Sequence, residues 1–76
     1  MASPANNLTE NLALGSSGAE VTLCQQRLIA AGFAIPTGAT GYFGPQTRTA
    51  VIAYQKAHGI VQTGVVGTLT RAALNK

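Results

Sequence analysis

An internal repeat constrains this chain more than any other feature. Gly-x-x-Gly occurs three times, at Gly15…Gly18, Gly41…Gly44 and Gly64…Gly67, and the last two copies extend into a longer match. Thr40-Gly41-Tyr42-Phe43-Gly44-Pro45-Gln46-Thr47-Arg48 aligns with Thr63-Gly64-Val65-Val66-Gly67-Thr68-Leu69-Thr70-Arg71 at a constant offset of 23, after which Ala50 and Val51 match Ala73 and Leu74. Chance rarely gives so many matches in a dozen positions. One unit, a glycine turn that opens a helix, is being reused.

Helical spacing follows each copy. Ser17 is placed to cap a first helix, with Glu20 three residues on completing a capping box. Val21, Cys24, Leu28 and Ala31 then share one helical face. Gly32 ends the helix, and Phe33 can fold back on Leu28 as in a Schellman motif. Pro45 suits the first position of a second helix because its missing N–H would be unpaired there anyway. Thr47, Ala50, Val51, Tyr54 and Ala57 form its inner stripe, and Gly59-Ile60 repeats the ending seen at Gly32-Phe33. A third helix opens near Thr68 with Thr70, Ala73 and Leu74 on its inner face. It has about two turns, too short to persist without tertiary packing.

The predicted fold is all-α, a compact three-helix bundle with Gly-x-x-Gly turns opening the helices. Its expected core is Leu14, Val21, Cys24, Leu28, Phe33, Phe43, Ala50, Val51, Tyr54, Ile60, Val66 and Leu74. Ile35 to Thr40 reads as a turn-rich connection, and Tyr42-Phe43 and Val65-Val66 as extended pairs too short for a sheet. Residues 1–11 read as a polar lead-in and residues 12–76 as the domain.

Composition narrows the function. A chain of 76 residues holds one domain with a small core. With 46% hydrophobic and 9% charged residues it is too apolar to be disordered. Its surface must rely on Thr, Gln, Asn, Ser and Gly, which suits either hydrogen bonding to sugars and peptides or solubility outside a cell. The net charge of +3 comes from scattered basic residues rather than a stripe with interleaved aromatics, which argues against nucleic acid. No apolar run approaches the roughly 18 residues of a membrane span. The opening Met1-Ala2-Ser3-Pro4 lacks the regions of a secretion signal, so an exported parent is expected to carry its signal outside this chain.

Catalytic chemistry finds little to work with. Glycosidic hydrolysis normally needs two carboxyl groups across the bond. This chain owns only Glu10, in the lead-in, and Glu20, at a helix start. Cys24 and His58, the single Cys and the single His, cannot make a disulfide or a zinc site. Cys24 falls on a buried stripe, and His58 at a helix end where the helix dipole favours it. No metal or cofactor is expected, and no enzymatic activity.

The ordered motifs resemble a bacterial family. Leu14-Gly15-Ser16-Ser17-Gly18, Val21, Gln25, Leu28 and Gly32-Phe33 look like the first half of the peptidoglycan-binding domain. Gly41-Tyr42-Phe43-Gly44-Pro45-x-Thr47, Ala50-Val51, Tyr54-Gln55 and Gly59-Ile60 resemble its central signature. Gly64-Val65-Val66-Gly67-x-x-Thr70 with Ala73-Leu74 resembles its close. The likeness covers residues 12 to 74. Departures are Cys24 for Leu, Tyr54 for Phe, Thr40 and Thr63 for Asp, Thr68 for Pro and Arg71 for an aromatic.

The resemblance implies a non-catalytic, monomeric module that binds peptidoglycan outside the cell or in its envelope and is attached to a wall hydrolase or another exported protein. The ligand groove is expected around the second Gly-x-x-Gly. There Tyr42 would pack on a sugar or peptide, Gln46 and Thr47 would hydrogen-bond, and Arg48 would meet a carboxylate. Gln25 and Gln55 match characteristic family positions and join the candidate site. Thr47 and Gln55 have a second reading as groups that bond backbone at helix ends. Two other functions compete: a protein-interaction or propeptide-like module packing on a neighbouring enzyme domain, and a small nucleic-acid-binding bundle.

Overall fold

The computed structural model describes residues 7–75. Three helices follow in order: α1 (Ala19–Ala30), α2 (Pro45–Ala57) and α3 (Thr68–Leu74). The last glycine of each Gly-x-x-Gly, at Gly18, Gly44 and Gly67, is the residue at which each helix begins, and none supplies a side-chain cap. Antiparallel pairs tie the segment before α1 to the two later turns. Leu12 exchanges backbone hydrogen bonds with Val66 at 3.1 and 2.7 Å, and Ser17 pairs with Tyr42. The short extended pairs therefore bond to the chain before α1 rather than to each other. The two helix endings form as the glycines suggest. The Phe33 N–H donates to the Leu28 carbonyl at 2.9 Å and the Ile60 N–H to the Gln55 carbonyl at 2.8 Å, the long reverse bond of a Schellman motif.

The core combines Val21, Cys24 and Leu28 of α1, Ala50, Val51 and Tyr54 of α2, Leu74 of α3, and Phe43 and Val66 from the turns. Burying a side chain the size of Phe43 contributes about 2–3 kcal/mol. The Tyr54 ring meets Phe33 edge-on at 5.4 Å between centroids and stacks on His58 at 4.1 Å.

Several expectations are corrected. Leu14 is exposed, because the Ser16 N–H closes a turn onto the Ala13 carbonyl at 2.8 Å and throws Leu14 outward. Leu12, Leu8 and Ile35 are buried instead, while Phe33 and Ile60 are half-buried at the rim. The capping box does not form. Glu20 uses its carboxylate to accept the N–H groups of Thr9 and Glu10 at 2.8 and 2.9 Å, together with the Thr9 hydroxyl. Leu8 and Asn75 exchange two hydrogen bonds, and Arg71 donates to the Thr9 carbonyl. Residues 8–10 are thus bonded to α1, to α3 and to the residue that ends α3. The expectation for residues 1–6 lies outside the described residues.

Candidate functional site

Two buried glutamines organise the two later turns in the same way. The Gln25 side-chain carbonyl accepts the Gly41 N–H at 2.9 Å, and its amide donates to the Tyr42 carbonyl and the Thr47 hydroxyl, both at 2.9 Å. One turn further along the bundle, the Gln55 carbonyl accepts the Gly64 N–H at 3.0 Å. The Gln55 amide donates to the Val65 carbonyl at 2.9 Å and the Thr70 hydroxyl at 3.2 Å. Each amide gives a partner to the N–H of the turn's first glycine and to a buried threonine hydroxyl, and adds a second donor to a turn carbonyl.

Glycine is obligatory where the two turns lie against their supports. Gly41 and Gly64 have φ of +85° and +76°, and a Cβ on them would approach Thr22 Oγ1 and Arg48 Nε to 2.9 Å. The residue before each glycine is Thr40 or Thr63. Their hydroxyls accept the Tyr42 and Val65 N–H groups at 3.2 and 3.1 Å. That is the local turn bond an Asp carboxylate would make, so the two Thr-for-Asp departures preserve the turns.

Each turn forms one wall of a groove with the start of the following helix. The first groove, about 460 Å³, is bounded by Thr37, Thr40, Tyr42, Pro45 and Gln46, with Gly44 and Thr47 beneath. The Tyr42 side chain is 55% exposed, and its ring leans over Gly44, where a Cβ would stand 3.6 Å from two ring carbons. The Gln46 carbonyl accepts the Thr37 N–H at 2.9 Å. The NH2 of the same amide makes no bond among the described residues. The second groove, about 230 Å³, uses the residues 23 positions later. Every residue lining the first has its repeat counterpart lining the second.

The candidate residues divide accordingly. Tyr42 and Gln46 face the first groove, while Thr47, Gln25 and Gln55 are buried supports whose polar groups are committed to the turns. Arg48 is exposed but does not line that groove; its side chain lies across Gly64 of the next turn. Its repeat equivalent, Arg71, reaches the Thr9 carbonyl instead. Thr37, Thr40 and Pro45 were missed at the sequence level. Thr37 lies in a connection without periodicity, Thr40 stands out only as the first residue of the repeat, and Pro45 reads from sequence as a helix starter.

Neither groove is lined by a carboxylate, a cysteine or a histidine. Burial pushes the Cys24 thiol up to about 12, so it is not a thiolate nucleophile near neutral pH. A neutral groove with an exposed aromatic ring, hydroxyls and an amide can stack on and hydrogen-bond a sugar or a peptide. It carries no acid–base pair.

The family model for the peptidoglycan binding domain matches residues 17–74. The chain belongs to this family. Over 61 residues the domain is 48% identical to the N-acetylmuramoyl-L-alanine amidase CwlL of Bacillus licheniformis, covering 79% of this chain and 17% of the amidase. It thus spans less than a fifth of that relative. Among solved structures, a peptidoglycan-binding protein from Clostridioides difficile in complex with glutamine hydroxamate superposes with a TM-score of 0.83 at 32% identity, covering 90% of this chain and 42% of that one. The L,D-transpeptidase of Xylanimonas cellulosilytica gives 0.82 at 45% identity, covering 88% and 32%. The peptidoglycan-binding domain is here one part of longer proteins.

Proposed function

We propose that this domain is a non-catalytic wall-binding module that holds an attached wall hydrolase, such as an amidase, against peptidoglycan outside the cell or in its envelope. The observation that carries the reading is the first groove. Tyr42 offers a ring to an apolar sugar face or an acetamido methyl, as stacked aromatics do in sugar and cation sites. Gln46 offers amide N–H groups to an acetamido or lactyl carbonyl, and the hydroxyls of Thr37 and Thr40 add adaptable partners. Gln25 and Thr47 act from beneath by holding the Tyr42 turn against the start of α2, and Gln55 does the same for the following turn. Arg48 contributes a cation beside the groove rather than in it.

Binding by one small groove is weak, and tethering converts it into a high local concentration of the attached enzyme. The domain acts as a monomer in this reading. Co-sedimentation of the purified domain with insoluble sacculi, at low and high salt and beside cellulose and chitin, tests it. Retention on sacculi alone, surviving high salt, is expected. Equal retention on all three polymers, or none, overturns the reading.

A further inference from the structure

We propose that wall binding by this domain is gated by the acetylation state of the wall's amino sugars: the first groove accepts an acetamido group and rejects the free amine left when the acetyl group is removed. The inference rests on the wall-binding reading and adds a chemical switch, carried by the polymer, that turns the site off.

The groove is rich in donors, and its strong acceptors are already engaged. The Thr37 N–H donates to the Gln46 side-chain carbonyl at 2.9 Å. That bond fixes which way round the amide sits, so the end it offers outward is the NH2 with its two donors. The Tyr42 carbonyl accepts from the Gly44 N–H and from the Gln25 amide. The Thr40 hydroxyl oxygen accepts the Tyr42 N–H at 3.2 Å, and the Thr47 hydroxyl oxygen accepts from Gln25 at 2.9 Å. An amide NH2, hydroxyls and an exposed ring remain for a ligand. An acetamido carbonyl can take those donors while its methyl group packs on Tyr42.

A free amine presents the opposite chemistry. As an ammonium it brings donors and no acceptor. Such an ion leaves water only where a carboxylate or several carbonyls take over its shell. Among the described residues no carboxylate lines the groove. The chain has two acidic side chains, and one of them, Glu20, is taken up by the N–H groups of Thr9 and Glu10. A net charge of +3 adds general repulsion. The second groove carries none of this selectivity, because the repeat counterpart of Gln46 there is Leu69, which has no donor.

The test is co-sedimentation of the chain with sacculi from one batch: untreated, enzymatically de-N-acetylated, and de-N-acetylated then re-acetylated with acetic anhydride, each at low and high salt. Untreated sacculi passed through the same anhydride step control for acetylation elsewhere. De-N-acetylation should lower affinity about fivefold, the size expected of one hydrogen bond, and re-acetylation should restore it. The drop should persist at high salt, where repulsion between exposed charges is screened. Gln46→Glu puts a carboxylate in place of the donors and should reverse the preference. Leu69→Glu makes the same change in net charge at the counterpart position and should leave the preference as it is. Both side chains are exposed, so the fold should survive each change, as the unfolding midpoints will show. Equal affinity for treated and untreated sacculi, a drop that vanishes at high salt, tighter binding of the amine form through a cation on the Tyr42 ring, or a reversal by Leu69→Glu as complete as by Gln46→Glu would overturn the gate and leave wall binding in place. Retention on no preparation would remove the wall-binding reading and the gate with it.

Discussion

The turn at Gly41–Gly44 and the turn at Gly64–Gly67 are built alike and finished differently. In both, a buried glutamine, a threonine hydroxyl before the first glycine and a positive φ fix the backbone. In the first, the side chains beyond that frame are Tyr42 and Gln46; in the second, Val65 and Leu69. The frame is conformational chemistry, where any departure leaves buried polar atoms unpaired. The lips face solvent, where a substitution costs the fold little, so ligand chemistry can change there without disturbing the turn. Duplication of one stable turn thus yields two grooves that need not take the same ligand.

The frame is where the largest effects lie. Gln25→Ala would strand the Gly41 N–H and take away the partner of the Thr47 hydroxyl, while the Tyr42 carbonyl keeps the Gly44 N–H at 3.1 Å, costing about 3 kcal/mol. Gln55→Ala should cost as much, because it strands the equivalent set. Thermal or urea unfolding of both variants checks the equivalence, and a small loss in one of them would break it. Next come the glycines. Gly41→Ala and Gly64→Ala should each cost about 1–2 kcal/mol for the left-handed backbone. Gly41→Ala should cost more, since Thr22 is fixed on α1 while the Arg48 side chain can swing away. Equal unfolding midpoints would show that this crowding does not matter.

Exchanging the lips sharpens the contrast. Tyr42→Val with Gln46→Leu should lower affinity for sacculi by up to about tenfold, the value of one aromatic contact and a hydrogen bond. The reverse exchange, Val65→Tyr with Leu69→Gln, should raise it, as read by binding isotherms on sacculi.

The smallest effect is at Glu20. The Thr9 hydroxyl, then the Thr9 and Glu10 N–H groups and the Arg71 charge, hold its carboxyl below the ordinary 4.5 against a modest desolvation penalty. A depressed folded-state value means that this stabilisation is present above the unfolded value and is lost as pH falls through the folded one. Glu20→Gln should cost about 0.5 kcal/mol at neutral pH and less in acid, because the groups are solvent-screened. Hydrogen exchange at Thr9 and Glu10 is the direct readout.

Much of the frame was legible because it obeys local rules. The helices, their glycine starts and the two Schellman endings follow from spacing and punctuation. The glutamines were noticed only as family positions. Their role could have been read from placement: Gln25 lies four residues from Val21 and three from Leu28, and Gln55 four from Val51, so each puts an amide on an apolar stripe. The repeat concealed their equivalence, since Gln25 reaches forward 16 residues to Gly41 and Gln55 only 9 to Gly64. Leu8 and the Glu20 clip were illegible for a different reason. They depend on how the segment before α1 folds back onto α1 and the end of α3, with Thr9 and Glu10 bonding Glu20 and Leu8 bonding Asn75 across 67 positions. No local pattern encodes such a contact. The Arg48 side chain extends across Gly64 rather than lining the first groove, and spacing along α2 does not reveal how far a long side chain reaches.

The most direct test of the wall-binding groove is sacculus co-sedimentation of the Tyr42→Ala, Gln46→Ala double variant beside the parent chain, with thermal unfolding measured on the same samples. Lost retention with an unchanged unfolding midpoint is the predicted result. Full retention by a folded double variant would contradict the assignment of the first groove.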